Sequence, residues 1–336
     1  TDAEWRAAQA RLVAQGFKVL LGPGVAFDNI TSTLLSGKAD KAFFASLPEN
    51  IVASTDDSPF FFFTQRLSTF ITEPSKAVTN NNVAISMVLL ILAVALAACA
   101  YYIVVPFVQL ARRMPLSTLT PPVLYFSAIG LGFMLIEISQ MQRLMVFLGH
   151  PVYGLSVVLF TILIFGGIGS ATVGAQTPGR GAMIARTVAL LATLSVAGYL
   201  TPLVTTWTRS EATDIRIFIS IALLAPPAFC MGMMFPLGLS IWRRRPELLP
   251  FLWSANGITS MLASVLGVAL SIQFGIAATY GLGVALYAVC IAMLAVRREE
   301  SVLSEVEQVQ SPGLVPDDAA APAAAPVRAP QAAFER

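Results

Sequence analysis

What this sequence has least of is charge. Asp, Glu, Lys and Arg together make up 12% of the residues, whereas an ordinary soluble domain carries about 25%. Hydrophobic residues make up 56% of the chain, and the mean hydropathy is +0.73. A soluble fold of this composition would have too few polar side chains to cover its surface. The sequence therefore predicts that lipid surrounds most of the protein.

Other scarcities exclude whole classes of site. The chain has one histidine, His150, and three cysteines, Cys99, Cys230 and Cys290, at spacings that match no metal or redox motif. A net charge of +2 without an aromatic-rich basic run argues against nucleic acid as a partner. No dinucleotide loop, Walker loop or nucleophile elbow is present. We therefore expect no catalytic, cofactor-binding or metal-binding residues in this chain, and we interpret the cysteines as small buried hydrophobes.

Residues 1–75 have the composition of a soluble segment. Residues 2–15 have helical periodicity, 17–21 form a strand candidate that a Gly-Pro-Gly run ends, and 28–35 could form a second helix. A piece of this size cannot bury a core by itself. We interpret it as the end of a larger α/β domain plus a membrane-proximal linker. The missing N-terminal Met and apolar leader favour a fragment or a processed chain.

Apolar runs of membrane-spanning length follow over residues 76–298, each close to the roughly 20 residues that a helix needs to cross a bilayer. The predicted spans lie near 83–107, 123–147, 152–174, 185–206, 216–241, 251–274 and 277–296. In the fifth, Pro226, Pro227 and Pro236 each remove a backbone donor, so we expect a broken or kinked helix there and a count between six and eight. The predicted fold class is an all-α polytopic bundle of about seven spans. An Ala/Pro-rich tail over 299–336 is expected to be disordered.

The distribution of Lys and Arg predicts the orientation in the membrane. One side of the predicted bundle holds Arg112, Arg113, Arg180, Arg186, Arg243, Arg244, Arg245, Arg297 and Arg298, and the other holds Arg66, Lys76, Arg143, Arg209 and Arg216. With seven spans, the C-terminus is cytoplasmic and the N-terminal piece lies outside, whereas an even count places both ends in the cytoplasm. We predict a multi-pass protein of the bacterial inner membrane with a cytoplasmic C-terminus.

Small residues recur at four-residue spacing in three of the predicted spans. These stripes are Gly166, Ser170 and Gly174; Ala255, Thr259, Ala263 and Gly267; and Ala277, Gly281 and Ala285. Helices in lipid associate through close backbone approach, which small residues permit. We interpret the stripes as packing faces within the bundle. They also offer faces on which other membrane subunits could dock.

The second predicted span carries a carboxylate near its middle, Glu137. At about 100° per residue it shares a face with Ser127, Gly130, Met134 and Met141, and Gln140 lies beside it. That face should point into the bundle, because a charge facing hydrocarbon costs a few kcal/mol. Glu137 is either a proton, cation or ligand site or a structural carboxyl that ties helices together. Arg143 lies about 120° from it on the helical wheel, so its partner should be on another helix unless it snorkels to the interface.

Four further polar residues are candidates, each with a plainer alternative. His150 stands in a Gly-His-Pro turn, where a hydrogen bond to backbone is favoured over ligand binding. Asn256 is better explained as a tie between helices than as a ligand contact. Asp56 and Asp57, at the junction between soluble and membrane parts, are either acid/base or cation-binding carboxylates or members of a turn with Asx-type hydrogen bonds, which the following proline favours.

Five motifs occur in order along the chain and carry a family resemblance. They are TDDSPFFF at 55–62, GLGFMLIE at 130–137, LGHPVY at 148–153 with the SVVL and GIGS runs that follow it, MGMMFPLG at 231–238 and WSANG at 253–257. Over residues 1 to about 296 the chain resembles the C-terminal part of bacterial membrane-bound spermidine-synthase-like proteins. In that family an S-adenosylmethionine-type α/β domain is fused to transmembrane helices.

The resemblance implies that any transferase activity, with its S-adenosylmethionine-type nucleotide, lies in a domain upstream of Thr1. This chain would then be the membrane half of a polyamine aminopropyltransferase-like protein, which anchors and serves that domain. A cofactor domain belongs in the cytoplasm, in conflict with the seven-span orientation, and an error of one span at the fifth would remove the conflict. Two other functions stay open: a transporter module for an ion or small molecule that uses Glu137, and a non-catalytic accessory subunit of a larger membrane complex.

Overall fold

The computed structural model describes residues 2–17, 30–35, 37, 39–47, 51–60, 83–174, 179–243 and 245–290. Three short helices precede the bundle: α1 (Asp2–Ala14), α2 (Ile30–Leu35) and α3 (Lys41–Ser46). Asp40 caps α3, since its side chain accepts a hydrogen bond from the Phe43 amide at 2.7 Å. Across the described part of the chain there is no β-strand. The strand predicted at 17–21 falls outside it except for Phe17, which is not in a strand, and so does the tail 299–336.

The membrane part is helical throughout its described length. Its helices are α4 (Val83–Ala111), α5 (Leu116–Leu148), α6 (Pro151–Ala171), α7 (Arg180–Trp207), α8 (Thr213–Gly232), α9 (Met234–Trp242), α10 (Leu249–Phe274, preceded by a 3-10 turn, Pro246–Leu248) and α11 (Ile276–Cys290). Six helical stretches are long and apolar enough to cross a membrane, with α8 and α9 counted as one, and α11 is a shorter apolar helix. The chain is therefore a multi-pass helical membrane protein. The second span begins at Leu116 rather than at residue 123. Of the predicted seventh span, 277–296, the structure describes the shorter helix Ile276–Cys290, and the rest lies outside the described residues.

The fifth span is interrupted for one residue, Met233, between α8 and α9, and the φ of −72° and ψ of −24° there stay in the helical region. Pro236 lacks the N–H that would bond to the Gly232 carbonyl, and its ring would clash there, so α8 ends at Gly232. The Met233 amide instead bonds to the Cys230 carbonyl at 3.3 Å in a tighter turn. The helix continues through Pro226 and Pro227. The irregularity predicted in this span is thus a one-residue interruption in the turn before Pro236, and the span continues across it.

Helix α5 is the centre of the bundle. It packs against α6, α8, α9 and α10, and Gly132 on α5 lies against Gly283 on α11. Its residues Leu119, Tyr125, Phe126, Leu135 and Leu144 are completely buried. Helix α4, in contrast, packs mainly against α10 and leaves apolar side chains such as Leu90 and Val94 exposed, as expected for a helix that faces lipid. Glu137 therefore lies on the most enclosed helix. On its predicted face Gly130 and Glu137 are buried, and Ser127, Met134 and Met141 are half-buried.

Two of the three small-residue stripes contribute to helix packing. On α10, Ala255, Thr259 and Ala263 are buried, and Gly267 lies against Leu135 and Ile138 of α5. On α6, Gly166 faces α8, but Gly174 has no neighbour at the position of a Cβ atom. The closest approach is at Gly169, whose absent Cβ leaves room for the Phe229 carbonyl.

The stripe predicted on α11 is on the wrong face. Ala277, Gly281 and Ala285 are all exposed. Gly283 faces α5 instead, where a Cβ atom would lie 3.1 Å from the Gly132 carbonyl oxygen and 2.7 Å from the Ile136 side chain. The aromatic residues Tyr280 and Tyr287, which are buried, turn this face of α11 inward.

The helices alternate between the two ends of the bundle. The connections from α5 to α6, α7 to α8 and α10 to α11 lie at one end, and those from α4 to α5, α6 to α7 and α9 to α10 lie at the other. We call the first the junction end, because the segment 51–60 contacts it through Arg143, Arg209 and Ala277.

Candidate functional site

Residues Thr55 to Ser58 form a tight turn at the junction end. The Thr55 amide donates to the Ser58 carbonyl at 3.3 Å, and the Ser58 amide donates to the Thr55 carbonyl at 3.0 Å. The Thr55 hydroxyl also accepts from the Ser58 amide at 3.2 Å. The predicted turn is therefore present, but the side chain that supports it belongs to Thr55. Both aspartate carboxylates extend to the bundle.

Asp57 caps the N-terminus of α11. Its main-chain carbonyl accepts a hydrogen bond from the Ile276 amide at 2.9 Å, and its Oδ1 accepts from the Ala277 amide at 2.7 Å. These two amides belong to the first turn of α11, where a helix has no acceptors of its own. The negative charge is also favoured by the positive end of the helix dipole. Asp57 therefore does from a distant segment what an N-cap residue usually does from the preceding position.

A glycine before α11 makes room for this cap. Gly275 has φ of +90°, a conformation that favours glycine. A Cβ atom there would collide with Oδ2 of Asp57. The absence of a side chain at Gly275 therefore leaves the space that the Asp57 carboxylate occupies when it caps α11.

Asp57 also forms an ion pair with the bundle. Nη2 of Arg143 lies 3.3 Å from its Oδ1, with side chains 10% and 47% exposed respectively. Asp56 pairs with Arg209, just after α7, and both side chains are more than half exposed. We call Asp56, Asp57, Arg143 and Arg209 the junction clamp. We expected the partner of Arg143 to lie on another helix of the bundle. The structure corrects this prediction, because the partner is Asp57, in the segment before the bundle.

Tyr280 ties α11 to α7 inside the bundle and was not predicted from the sequence. Its hydroxyl donates to the Leu194 carbonyl of α7 at 2.7 Å, and the Gln140 side chain lies near it. Its ring occupies the space beside Gly198. The signal that could have identified it is a tyrosine in an apolar helix, because a buried phenolic hydroxyl needs a partner. The predicted candidate Gln140 therefore lies beside this tyrosine.

Glu137 is not part of this cluster. It is 8% exposed, and its carboxylate has neither a hydrogen bond nor an ion pair with any other residue that the structure describes. Phe133 and Met141, one turn away on either side, pack against an apolar cluster built by α5, α6 and α8. The carboxyl group therefore lies on a stripe with apolar surroundings.

His150 and Asn256 are each bound to main-chain groups. Nδ1 of His150 accepts a hydrogen bond from the Val152 amide at 3.3 Å and so caps α6. Nδ2 of Asn256 donates to the Phe126 carbonyl at 3.0 Å and so joins α10 to α5. These are the contacts of a turn residue and of an interhelical tie.

Within the described ranges, no three His, Cys, Asp or Glu side chains are grouped closely enough to hold a metal ion. A groove of about 350 Å³ between α6 and α8 has a mainly apolar lining, with Ser156 and Thr161 as its polar residues. Comparisons of the chain with protein-family models, curated proteins and solved structures find no match. The function is therefore argued from the geometry of the junction clamp and from the enclosed carboxyl group.

Proposed function

We propose that this protein is a membrane anchor that holds an N-terminal extramembrane domain in one orientation on the junction end of its helical bundle. The observation that carries the proposal is the double engagement of Asp57, which caps α11 and pairs with Arg143 of α5. A flexible tether needs no such contacts, because its purpose is served by chain length alone.

The clamp joins three separate parts of the bundle. Asp57 binds α5 and α11, and Asp56 binds the turn after α7. An N-cap contributes about 1 kcal/mol, and an exposed ion pair such as Asp56–Arg209 contributes between 0 and about 1 kcal/mol. Most of the anchoring free energy therefore comes from Asp57, whose guanidinium partner is nearly buried.

The identity of the anchored domain follows from the resemblance. The segment before the clamp is proposed to close a spermidine-synthase-like α/β domain, and the clamp motif TDDSP is one of the five motifs that carry the resemblance. The bundle serves that domain by fixing its distance from the membrane. Transport of a small molecule and a role as an accessory subunit remain alternatives to be separated by experiment.

The orientation is part of the proposal. The connections at the end opposite the junction end carry Arg112, Arg113, Arg243 and Arg245, so the positive-inside rule assigns that end to the cytoplasm. In a bacterial inner membrane the C-terminus is then cytoplasmic and the anchored domain lies on the outer face. A domain on the outer face would lack nucleotide cofactors, which are made in the cytoplasm. We therefore propose the resemblance for the fold of that domain only, and anchoring for the function of this chain.

The proposal is tested by measuring how tightly segment 51–60 is held. Spin labels at exposed positions 53 and 211 in the full chain, reconstituted in lipid, should give a narrow distance distribution. Asp57→Ala should broaden it, and Asp56→Ala, which removes only the exposed pair, should change it little. A distribution in the wild type as broad as that of Asp57→Ala would rule out the anchor. Labelling of a cysteine at position 53 by a membrane-impermeant maleimide in intact cells checks the orientation.

A further inference from the structure

The enclosed carboxyl group of Glu137 is not used by the junction clamp. Glu137 is 8% exposed. Phe133 and Met141, one turn away on either side, pack against the apolar cluster that includes Leu144 of α5 and Leu224 and Ala228 of α8. A carboxylate anion in such surroundings, without a hydrogen-bond donor or a cation, costs several kcal/mol. A neutral carboxylic acid costs far less, provided that its O–H finds an acceptor.

The middle of α8 lies at the depth of Glu137. Near one end of the helix pair, Nη1 of Arg216 donates to the Phe147 carbonyl at 2.9 Å, and near the other the Tyr125 hydroxyl donates to the Met234 carbonyl at 2.9 Å. Glu137 and Pro226 each lie ten residues from the first of these contacts. At 1.5 Å per residue, both are about 15 Å from that end.

This part of α8 has main-chain carbonyls without their usual donors. Pro226 and Pro227 have no N–H, so the carbonyls of Ala222 and Leu223 lose the helical hydrogen bonds that would end on them. Pro227 is buried, on the same stripe as Leu224 and Ala228. A free carbonyl accepts a hydrogen bond from a carboxylic acid but not from a carboxylate.

No counter-charge is available at this depth from the described helices packed around Glu137. On its own helix Arg143 is bound to Asp57, and on α8 Arg216 is bound near the helix start. Helix α10 has no titratable residue, and those of α6 and α11 are Tyr153 and then Tyr280, Tyr287 and Cys290. Cys230 is the remaining titratable group of α8 near the bundle interior.

We propose that Glu137 is a proton-binding site inside the bundle, held as a carboxylic acid whose O–H donates to the main-chain carbonyl that Pro227 frees on α8. The site binds a proton rather than a metal cation, because a cation needs several oxygen ligands and Glu137 brings one carboxyl group to an otherwise apolar stripe. This site is independent of the anchor, since none of its groups belongs to the junction clamp.

The first test uses dicyclohexylcarbodiimide, an apolar reagent that reacts with protonated carboxyl groups. The acid proton moves to a carbodiimide nitrogen and the carboxyl oxygen bonds to the central carbon, which gives an O-acylisourea that rearranges to a stable N-acylurea. At neutral pH in membranes, peptide mass spectrometry should find the adduct on Glu137, and a water-soluble carbodiimide should give none there. Glu137→Gln should abolish the adduct, whereas Glu211→Gln, at an exposed turn position, should leave its yield unchanged.

The second test reads the proton directly. Infrared spectra of the full-length protein in lipid should contain a carboxylic-acid C=O band at neutral pH that Glu137→Gln removes. Pro227→Ala restores a donor to the Leu223 carbonyl, and it should shift this band to higher frequency because the acid loses part of its hydrogen bond. Absence of the band, absence of the adduct, or protection of Glu137 by sodium would each overturn the proton site.

Discussion

The carboxylate of Asp57 accepts a 2.7 Å hydrogen bond from the amide of Ala277, 220 residues later in the chain. The same carboxylate lies 3.3 Å from the guanidinium of Arg143. One side chain therefore joins the segment before the bundle to the start of its last described helix and to its central helix. The predictions below test this relationship and the helix packing that presents it.

Replacing Asp57 should destabilise the bundle more than replacing Asp56. Asp57→Ala removes the cap of α11 and leaves Arg143, whose side chain is 10% exposed, without its partner, so we expect a loss of about 2 kcal/mol and a fall of several degrees in the unfolding temperature in detergent. Asp57→Asn keeps an oxygen that can accept from Ala277 and should lose about half as much. Asp56→Ala should change the unfolding temperature little. Equal effects of the two alanine variants would contradict the assignment of the cap.

The start of α11 should tolerate no side chain at Gly275. An alanine there must adopt φ near +90° and would place its Cβ against Oδ2 of Asp57, so Gly275→Ala should displace the carboxylate and expose segment 51–60 to protease. The matched control is Gly281→Ala, within α11 itself, where no atom lies within 4 Å of the new Cβ. Limited proteolysis in detergent with mass detection compares the two. Cleavage at the same rate in both variants would mean that the cap does not hold the segment.

The packing of α6 against α8 should depend on Gly169 and not on Gly167. Gly169→Ala would push a methyl group into the Phe229 carbonyl, and main chain cannot yield as a flexible side chain can. We expect a loss of several kcal/mol or failure to assemble, because small residues permit this approach. Gly167→Ala meets no atom within 4 Å and should keep the stability of the wild type. Unfolding temperatures and size-exclusion profiles in detergent measure the difference.

Two tyrosines on α11 should respond in opposite ways to loss of the hydroxyl. Tyr280→Phe removes the donor to the Leu194 carbonyl and the contact with Gln140, and it should cost about 1–3 kcal/mol. The hydroxyl of Tyr287 is buried with no hydrogen-bond partner in the described structure, so Tyr287→Phe should be neutral or stabilising. Tyr199→Phe, at a side chain that is 70% exposed, is the control. Thermal unfolding in one detergent compares the three, and a destabilised Tyr287→Phe would indicate that its hydroxyl has a partner.

The sequence predicted the bundle because its signal is local. A run of about 20 apolar residues must close its own backbone hydrogen bonds in lipid, so composition alone leads to helices. The irregularity in the fifth span was predicted for the same reason, since a proline acts on its own preceding turn. The choice of Pro236 over Pro226 and Pro227 needed the structure, because prolines within a helix are tolerated where surrounding groups satisfy the backbone.

The packing faces were predicted less well. Small residues at four-residue spacing identify a face along which helices can approach, and on α10 this face is buried. On α11 the same spacing lies on the exposed side, and Gly283 makes the contact instead. The spacing of small residues in one helix carries no information about where the neighbouring helices lie. The pattern alone therefore could not show that the stripe is buried on α10 and exposed on α11.

The amino-acid sequence by itself determined that the chain spans a membrane as helices, that Glu137 points into the bundle, and that a turn precedes the membrane part. Only the tertiary structure decided that Asp57 caps α11, that Arg143 pairs with Asp57, and that Tyr280 ties α11 to α7 through the Leu194 carbonyl. The reason is physical: burial and backbone hydrogen bonding act over one helix turn, whereas an ion pair or a cap supplied from a distant segment exists only once the helices have packed.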